Sequence, residues 1–279
     1  MRHTCLFFHA HPDDEALLTA GTMARLAGAG HRVVLVLATA GERGLAPQDL
    51  QGRGLGTVRR EEAHASARIL GCSRVAFLGY ADSGHTPGPA PSHGGTRPFA
   101  TADVEEAAAR LAALLTEERA DLLTVYDPAG GYGHPDHVQV HRVGYRAARM
   151  AGTPVVLEAT VDRTLLLRGL RAASWVHRFP PHFDRDSFRT AYGARSEITH
   201  RVPVKRHWRA KRASLAAHLS QARGGDSERT LAALGRLPGP AFRQVMGTEW
   251  YIQRGLPAGT LHRDPLATLP HARATAPSR

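Results

Sequence analysis

The sequence predicts an α/β protein: a mostly parallel sheet with helices on both faces. Two observations carry this. Short apolar runs of strand length alternate with segments of helical periodicity through the first 150 residues. Residues 32–38, Arg-Val-Val-Leu-Val-Leu-Ala, are apolar on both faces, as a strand buried inside a parallel sheet must be. Parallel neighbours need a long crossover, and the helical segments between the runs supply it.

The elements follow in chain order. Residues 5–9 form a first strand, and residues 16–28 carry apolar side chains at helical spacing, with Gly30 as the stop. After the strand at 32–38 comes a loop over 40–56, then a helix over 59–70 that ends at Gly71, and a strand over 74–78. A segment rich in Gly, Pro, Ser and His fills residues 79–100, and its length and place mark it as a loop on the substrate side. Residues 102–118 make a long amphipathic helix, 121–126 and 154–160 two further strands, and 206–221 a helix. Ligands of such sheets sit beyond the carboxyl ends of the strands, so the loops after Phe8, Ala38, Leu78 and Tyr126 should meet.

Length and composition bound the rest. The 279 residues are 42% hydrophobic and 22% charged, enough for one large α/β domain and unlike a disordered or fibrous chain. No apolar run approaches the roughly 20 residues of a membrane span. The N-terminus runs straight into a strand, with no space for a signal peptide, and Cys5 and Cys72 make no disulfide framework. A cytoplasmic protein without integral membrane association is expected. Net charge is +11, yet only Lys205 and Lys211 are lysines among the 36 basic residues, a skew that reads as coding bias as much as selection for a polyanion. Residues 1–159 sum to −2 and residues 160–279 to +13. A basic run around Trp208 (Arg201, Lys205, Arg206, Arg209, Lys211, Arg212) could touch an anion, although such runs are usually solvated faces.

Two segments carry chemistry: His9-Ala-His11-Pro12-Asp13-Asp14-Glu15 after the first strand, and Gly130-Gly131-Tyr132-Gly133-His134-Pro135-Asp136-His137 after the strand ending at Tyr126. In each, a helix can start at the proline, so that His11 converges with Asp14 and His134 with His137. Two imidazoles and a carboxylate suit zinc or ferrous iron and leave positions open for water. A lone His-Pro-Asp is most often a turn with a capping Asp. Two of them at loops that should meet demand more than packing. No Gly-rich dinucleotide fingerprint and no Gly-x-Ser-x-Gly elbow is present.

With Thr39-Ala-Gly41-Glu42, Arg59-x-x-Glu62, Asp82-Ser83-Gly84, Lys211-x-x-Ser-Leu-x-x-His218-x-Ser-Gln221 and Glu249-Trp250-Tyr251, these segments make the sequence similar to the PIG-L/LmbE-like metal-dependent N-deacetylases over about residues 4–255. Within that family the two histidine strings most resemble the mycothiol-pathway N-acetylglucosaminyl-inositol deacetylases. The resemblance implies a Rossmann-like sheet, a C-terminal extension that completes the pocket and one domain over residues 1–260; Pro265, Pro270 and Pro277 mark residues 261–279 as a flexible tail. The resemblance implies one divalent metal ion, Zn2+ with Fe2+ as the alternative, on His11, Asp14 and His137. Asp13 becomes the general base, His134 an acid or electrostatic stabiliser, Tyr132 an oxyanion donor, and Asp136 the group that orients a histidine. Arg59 and Asp82 match sugar-contacting positions, for which an ordinary surface pair is the plain alternative. His85, beside the same loop, is a third substrate-binding candidate, at a position where those relatives carry an apolar residue. His9 is read as a supporting or structural residue and His141 as an ordinary helix-face histidine.

The implied partner is a small N-acetylated amino sugar of the GlcNAc type, with no nucleic acid. An amidase of a larger acyl or thiol conjugate is the rival on this scaffold, and a non-catalytic binder of anionic polymer the rival of another class.

Overall fold

The computed structural model describes residues 1–44, 53–84, 96–173, 187–222 and 230–270. β1 (Thr4–His9) leads through α1 (Asp14–Leu18) and α2 (Ala20–Gly28) to β2 (Arg32–Thr39), and α3 (Arg53–Leu70) returns the chain to β3 (Arg74–Tyr80). α4 (Val104–Glu117), β4 (Leu122–Tyr126), the short turn α5 (Gly130–Gly133), α6 (Pro135–Ala151) and β5 (Val155–Thr160) complete the parallel part. There follow α7 (Arg163–Ala173), β6 (His200–Pro203), α8 (Trp208–Ala217), α9 (Leu219–Ala222), α10 (Thr230–Arg236), α11 (Gly239–Val245) and β7 (Thr248–Ile252).

The seven strands lie in the order β3-β2-β1-β4-β5-β7-β6. β1 to β5 are parallel, and β7 runs antiparallel to both β5 and β6. The chain winds from β1 towards β3 and then back through β4 and β5, which puts the switch point, and its crevice, between β1 and β4. Strand alternation divides the core: Leu6 and Phe8 face α4 and α6, while Cys5 and Phe7 face α2 and α3. α6 sits close on β4 because residue 144 is glycine; a Cβ there would lie 2.2 Å from Val125 Cγ1.

Two local expectations change. Residues 16–28 are two helices broken at Thr19, because the Glu249 carboxylate of β7 accepts the Gly21 and Thr22 N–H groups at 2.8 and 2.7 Å and starts a new helix there. The helix of 206–221 is likewise interrupted, at His218. The antiparallel pair β6–β7 is not legible in local periodicity. Residues 261–270 lie against the sheet: His262 pairs with the backbone of Thr199 and Arg201 at 2.8 Å each, and Leu269 is buried against the core. Residues 271–279 lie outside the described residues.

Candidate active site

The loops expected to meet do so. Thr39, at the end of β2, donates its N–H and its hydroxyl to Ala10 O, each at 3.1 Å. Ser83, beyond β3, donates its N–H (3.0 Å) and its hydroxyl (2.5 Å) to Asp136 at the start of α6. The His-Pro-Asp segments of β1 and β4 face each other across this crevice.

Asp13 stands at the head of α1 with φ 109°, in a region L residues rarely adopt. Its N–H donates to Glu15 Oε2 at 3.0 Å, and its Oδ2 lies 3.2 Å from the Arg59 guanidinium. Arg59 also donates to Pro12 O and, at 2.6 Å, to Gly41 O, so it ties the loops after β1 and β2 together. Burial pushes the Asp13 carboxyl up to about 6 against the pull of Arg59.

His11 is polarised by its neighbours. Its Nε2 is 3.0 Å from Asp136 Oδ2 and 3.4 Å from Asp82 Oδ1, acceptors that place the ring proton on that nitrogen. Nδ1 is then the lone-pair side, 3.5 Å from Asp14 Oδ2. The same Asp14 oxygen lies 3.4 Å from His137 Nε2, a buried nitrogen that has no hydrogen-bond partner among the described residues. A buried nitrogen left bare beside a carboxylate and a second imidazole lone pair is the donor set a divalent ion requires. Among the described residues, donors mutually within 4.8 Å form two groups: His11, His134 and His137, and His11, Asp82, His134 and Asp136. Asp14 is in neither, and His134 is in both.

His134 caps α6: its Nδ1 accepts the Asp136 N–H at 3.2 Å, so the neutral ring carries its proton on Nε2. Burial, with His11 and His137 adding to it, lowers this imidazole to about 4. Tyr132 is 46% exposed, and its ring centroid is 5.1 Å from that of His137. The tight turn that carries it is braced by Asp127, whose Oδ1 accepts from Ala129 N (3.1 Å) and Gly131 N (3.0 Å).

Arg59 and Asp82 are not a surface pair; they are only 3% and 4% exposed. Asp82 accepts from Gly84 N at 2.8 Å and Arg43 N at 3.1 Å. His9 lies beneath the site, with Nδ1 2.8 Å from the Tyr126 hydroxyl and Nε2 2.8 Å from Thr19 Oγ1. His141 is half-buried, its Nδ1 3.0 Å from Tyr126 O. His85 falls outside the described residues. Sequence reasoning missed the roles of Ser83, Tyr126, Asp127 and Tyr192 around the site. Tyr192, at φ 60°, donates its N–H to Gly131 O at 2.9 Å. Ser83 lay within a quoted motif; Tyr192 carries no local signal.

Fold and site together define a Rossmann-like α/β protein with a His/Asp cluster able to hold a metal at the carboxyl edge of its sheet. The chain belongs to the PIG-L family, whose model, described as GlcNAc-PI de-N-acetylase, matches residues 6–148. A 1D-myo-inositol 2-acetamido-2-deoxy-alpha-D-glucopyranoside deacetylase of Thermomonospora curvata is 37% identical over 279 residues, spanning 91% of each chain. Among solved structures, the N,N'-diacetylchitobiose deacetylase of Pyrococcus horikoshii matches with a TM-score of 0.56 and 21% identity, over 90% of this chain and 83% of its own. The 4-carboxy-2-hydroxymuconate hydratase of Pseudomonas putida matches with a TM-score of 0.58 and 19% identity, over 91% and 97%. The structural likenesses speak to fold alone, and a hydratase among them shows why activity has to be argued from the site.

Proposed function

We propose that the chain removes acetate from an N-acetylated amino sugar of the GlcNAc type in a small conjugate. The observation that carries this is the convergence of His11 Nδ1 and His137 Nε2 on Asp14, with the half-buried Asp13 next to it. The named relative at 37% identity, a 1D-myo-inositol 2-acetamido-2-deoxy-alpha-D-glucopyranoside deacetylase, supports the substrate class.

An ion held by His11, Asp14 and His137, zinc in the first instance and ferrous iron as the alternative, would polarise the acetamide carbonyl and acidify a water. Asp13 takes the proton of the attacking water, and its raised pKa leaves it ionised yet basic at neutral pH. The developing oxyanion is met by two donors, the Tyr132 hydroxyl and the Nε2–H of His134. Protonating His134 on Nδ1 would break its cap to Asp136, so the leaving amine draws its proton from Asp13. Asp136 holds the His11 ring in the tautomer that turns Nδ1 to the site. The sugar hydroxyls are assigned to Arg59 and Asp82. Because Arg59 also holds Asp13, its substitution should lower kcat as well as raise KM.

A reducing, cytoplasmic setting is part of the proposal: both cysteines are free, and burial pushes both thiols up to about 12. No helix among the described residues is long and apolar enough to cross a membrane.

The test is acetate release from 1D-myo-inositol 2-acetamido-2-deoxy-alpha-D-glucopyranoside, free N-acetylglucosamine and N,N'-diacetylchitobiose, before and after chelation and after zinc or iron is restored. Release from at least one substrate, lost on chelation and regained with metal, is expected. Preferential cleavage of a larger acyl amide would replace this reading with the amidase one.

A further inference from the structure

We propose that Glu15, clamped by His218 and Ser66, is a positioning residue that holds Asp13 in its working conformation. The proposal rests on Asp13 being the base, as argued above. Glu15 touches neither substrate nor metal in this scheme; it acts through the backbone of its neighbour.

Asp13 poses the problem. With φ 109° and ψ −26° it occupies backbone space that costs a non-glycine residue on the order of 1–3 kcal/mol and persists only where the surroundings over-determine it. Its side chain does not cap α1. The Glu15 carboxylate reaches back and accepts the Asp13 N–H at 3.0 Å, as the acid of a capping box does. Arg59 restrains the Asp13 carboxylate from the other side. The backbone is thus held by one residue and the carboxylate by another.

Glu15 is itself fixed. It is fully buried, and its second oxygen, Oε1, receives the Ser66 hydroxyl and His218 Nε2, both at 2.6 Å. Ser66 of α3 is joined in turn to Ser214 of α8 at 2.7 Å. A buried carboxylate is costly unless its lone pairs are used, and here both oxygens are used, by three elements. Two further bonds lock α8 to the same place: Lys211 Nζ donates to Leu17 O of α1 at 2.9 Å and to Glu249 at 2.5 Å. Ser220, just past α8, gives its N–H and hydroxyl to Glu62 of α3, each at 2.7 Å. The string Lys211…Ser214…His218…Ser220 therefore reads as a clamp from the C-terminal half onto the helix that presents the base. Released, the Asp13 backbone would relax towards an ordinary φ and carry the carboxylate off its target. A misplacement on the ångström scale costs about 100-fold in rate.

The experiment uses the whole zinc-loaded chain and 1D-myo-inositol 2-acetamido-2-deoxy-alpha-D-glucopyranoside as substrate. Glu15→Leu, Glu15→Gln, His218→Leu and His218→Gln are compared for kcat, KM and bound zinc, with Asp13→Asn alongside. Glu15→Leu should lower kcat about 100-fold while KM and bound zinc stay within about twofold. Glu15→Gln keeps an oxygen for the Asp13 N–H and should recover most of the rate. His218→Leu should lower kcat in the same KM-neutral way, with His218→Gln, which can still donate to Glu15, recovering it. The His218 pair carries the test should Glu15→Leu fail to fold. Wild-type kcat in Glu15→Leu or His218→Leu overturns the proposal. So does a joint loss of zinc, KM and kcat that the glutamine variants do not rescue, since that pattern marks a core pin and nothing more. An inactive Asp13→Asn beside an intact Glu15→Leu sinks the positioning role alone. A fully active Asp13→Asn sinks the base assignment itself.

Discussion

His11 divides its two ring nitrogens between tasks, and Asp136 decides which does what. Replacing Asp136 by Asn keeps an acceptor near Nε2 but removes the charge that fixes the tautomer. Zinc affinity should then fall about 10- to 100-fold, read by chelator competition. Unchanged affinity would mean that Asp136 serves only Ser83. His137→Ala should lose the ion outright, whereas His134→Ala should keep it and lose rate, which separates the two roles of the mutually close imidazoles. At this scale the grouping of the candidate residues was legible because it is written in contiguous strings: His11 to Asp14 and Tyr132 to His137 each fall within one loop. Glu15, also in the string, carried no role of its own at the level of sequence. Its meaning depends on His218, 203 residues away, and no local pattern can register that pairing.

Among the elements, α6 matters most, since it carries His137 and rests on β4 at Gly144. Gly144→Ala places a Cβ 2.2 Å from Val125 Cγ1 and should cost about 1–3 kcal/mol, measured by urea unfolding. A neutral or stabilising result would show that the helix can slide without penalty. β6 supplies a pH dependence. Burial, with His262 adding to it, lowers buried His200 from its usual 6.5 to about 4. Between those values the unfolded chain takes up a proton that the folded chain refuses, so stability should fall as pH drops through about 6.5 to 4 and stay level above. His200→Gln should flatten that slope in urea midpoints taken at low and neutral pH; an unchanged slope would assign it to other groups. The parallel strands were readable because each is a short apolar run. The break between α1 and α2 was not, because the cap at Gly21 and Thr22 comes from Glu249 on β7.

Over the whole molecule, part of the surplus of +13 beyond residue 159 is spent on internal partners among the described residues. Lys211 is 1% exposed and paired with Glu249, and Arg212 donates to Gly235 O while its guanidinium lies 5.7 Å from the Phe242 ring centroid. Arg195 and Arg254 hold Asp162 and Glu158. These four cations tie parts of the C-terminal half to α1, to the sheet and to one another. Duplex DNA should therefore bind negligibly at about 0.15 M salt, and tight, steeply salt-dependent binding would contradict this account. The net charge made a polyanion partner conceivable; which arginines are spent on internal carboxylates depended on the β5–β7–β6 arrangement, which the sequence alone did not disclose.

The most direct test is single-turnover acetate release by Asp13→Asn with its bound metal quantified. The account predicts a full complement of metal and a rate lower by about 100-fold or more, the share of a positioned general base. Wild-type acetate release by metal-loaded Asp13→Asn would contradict it.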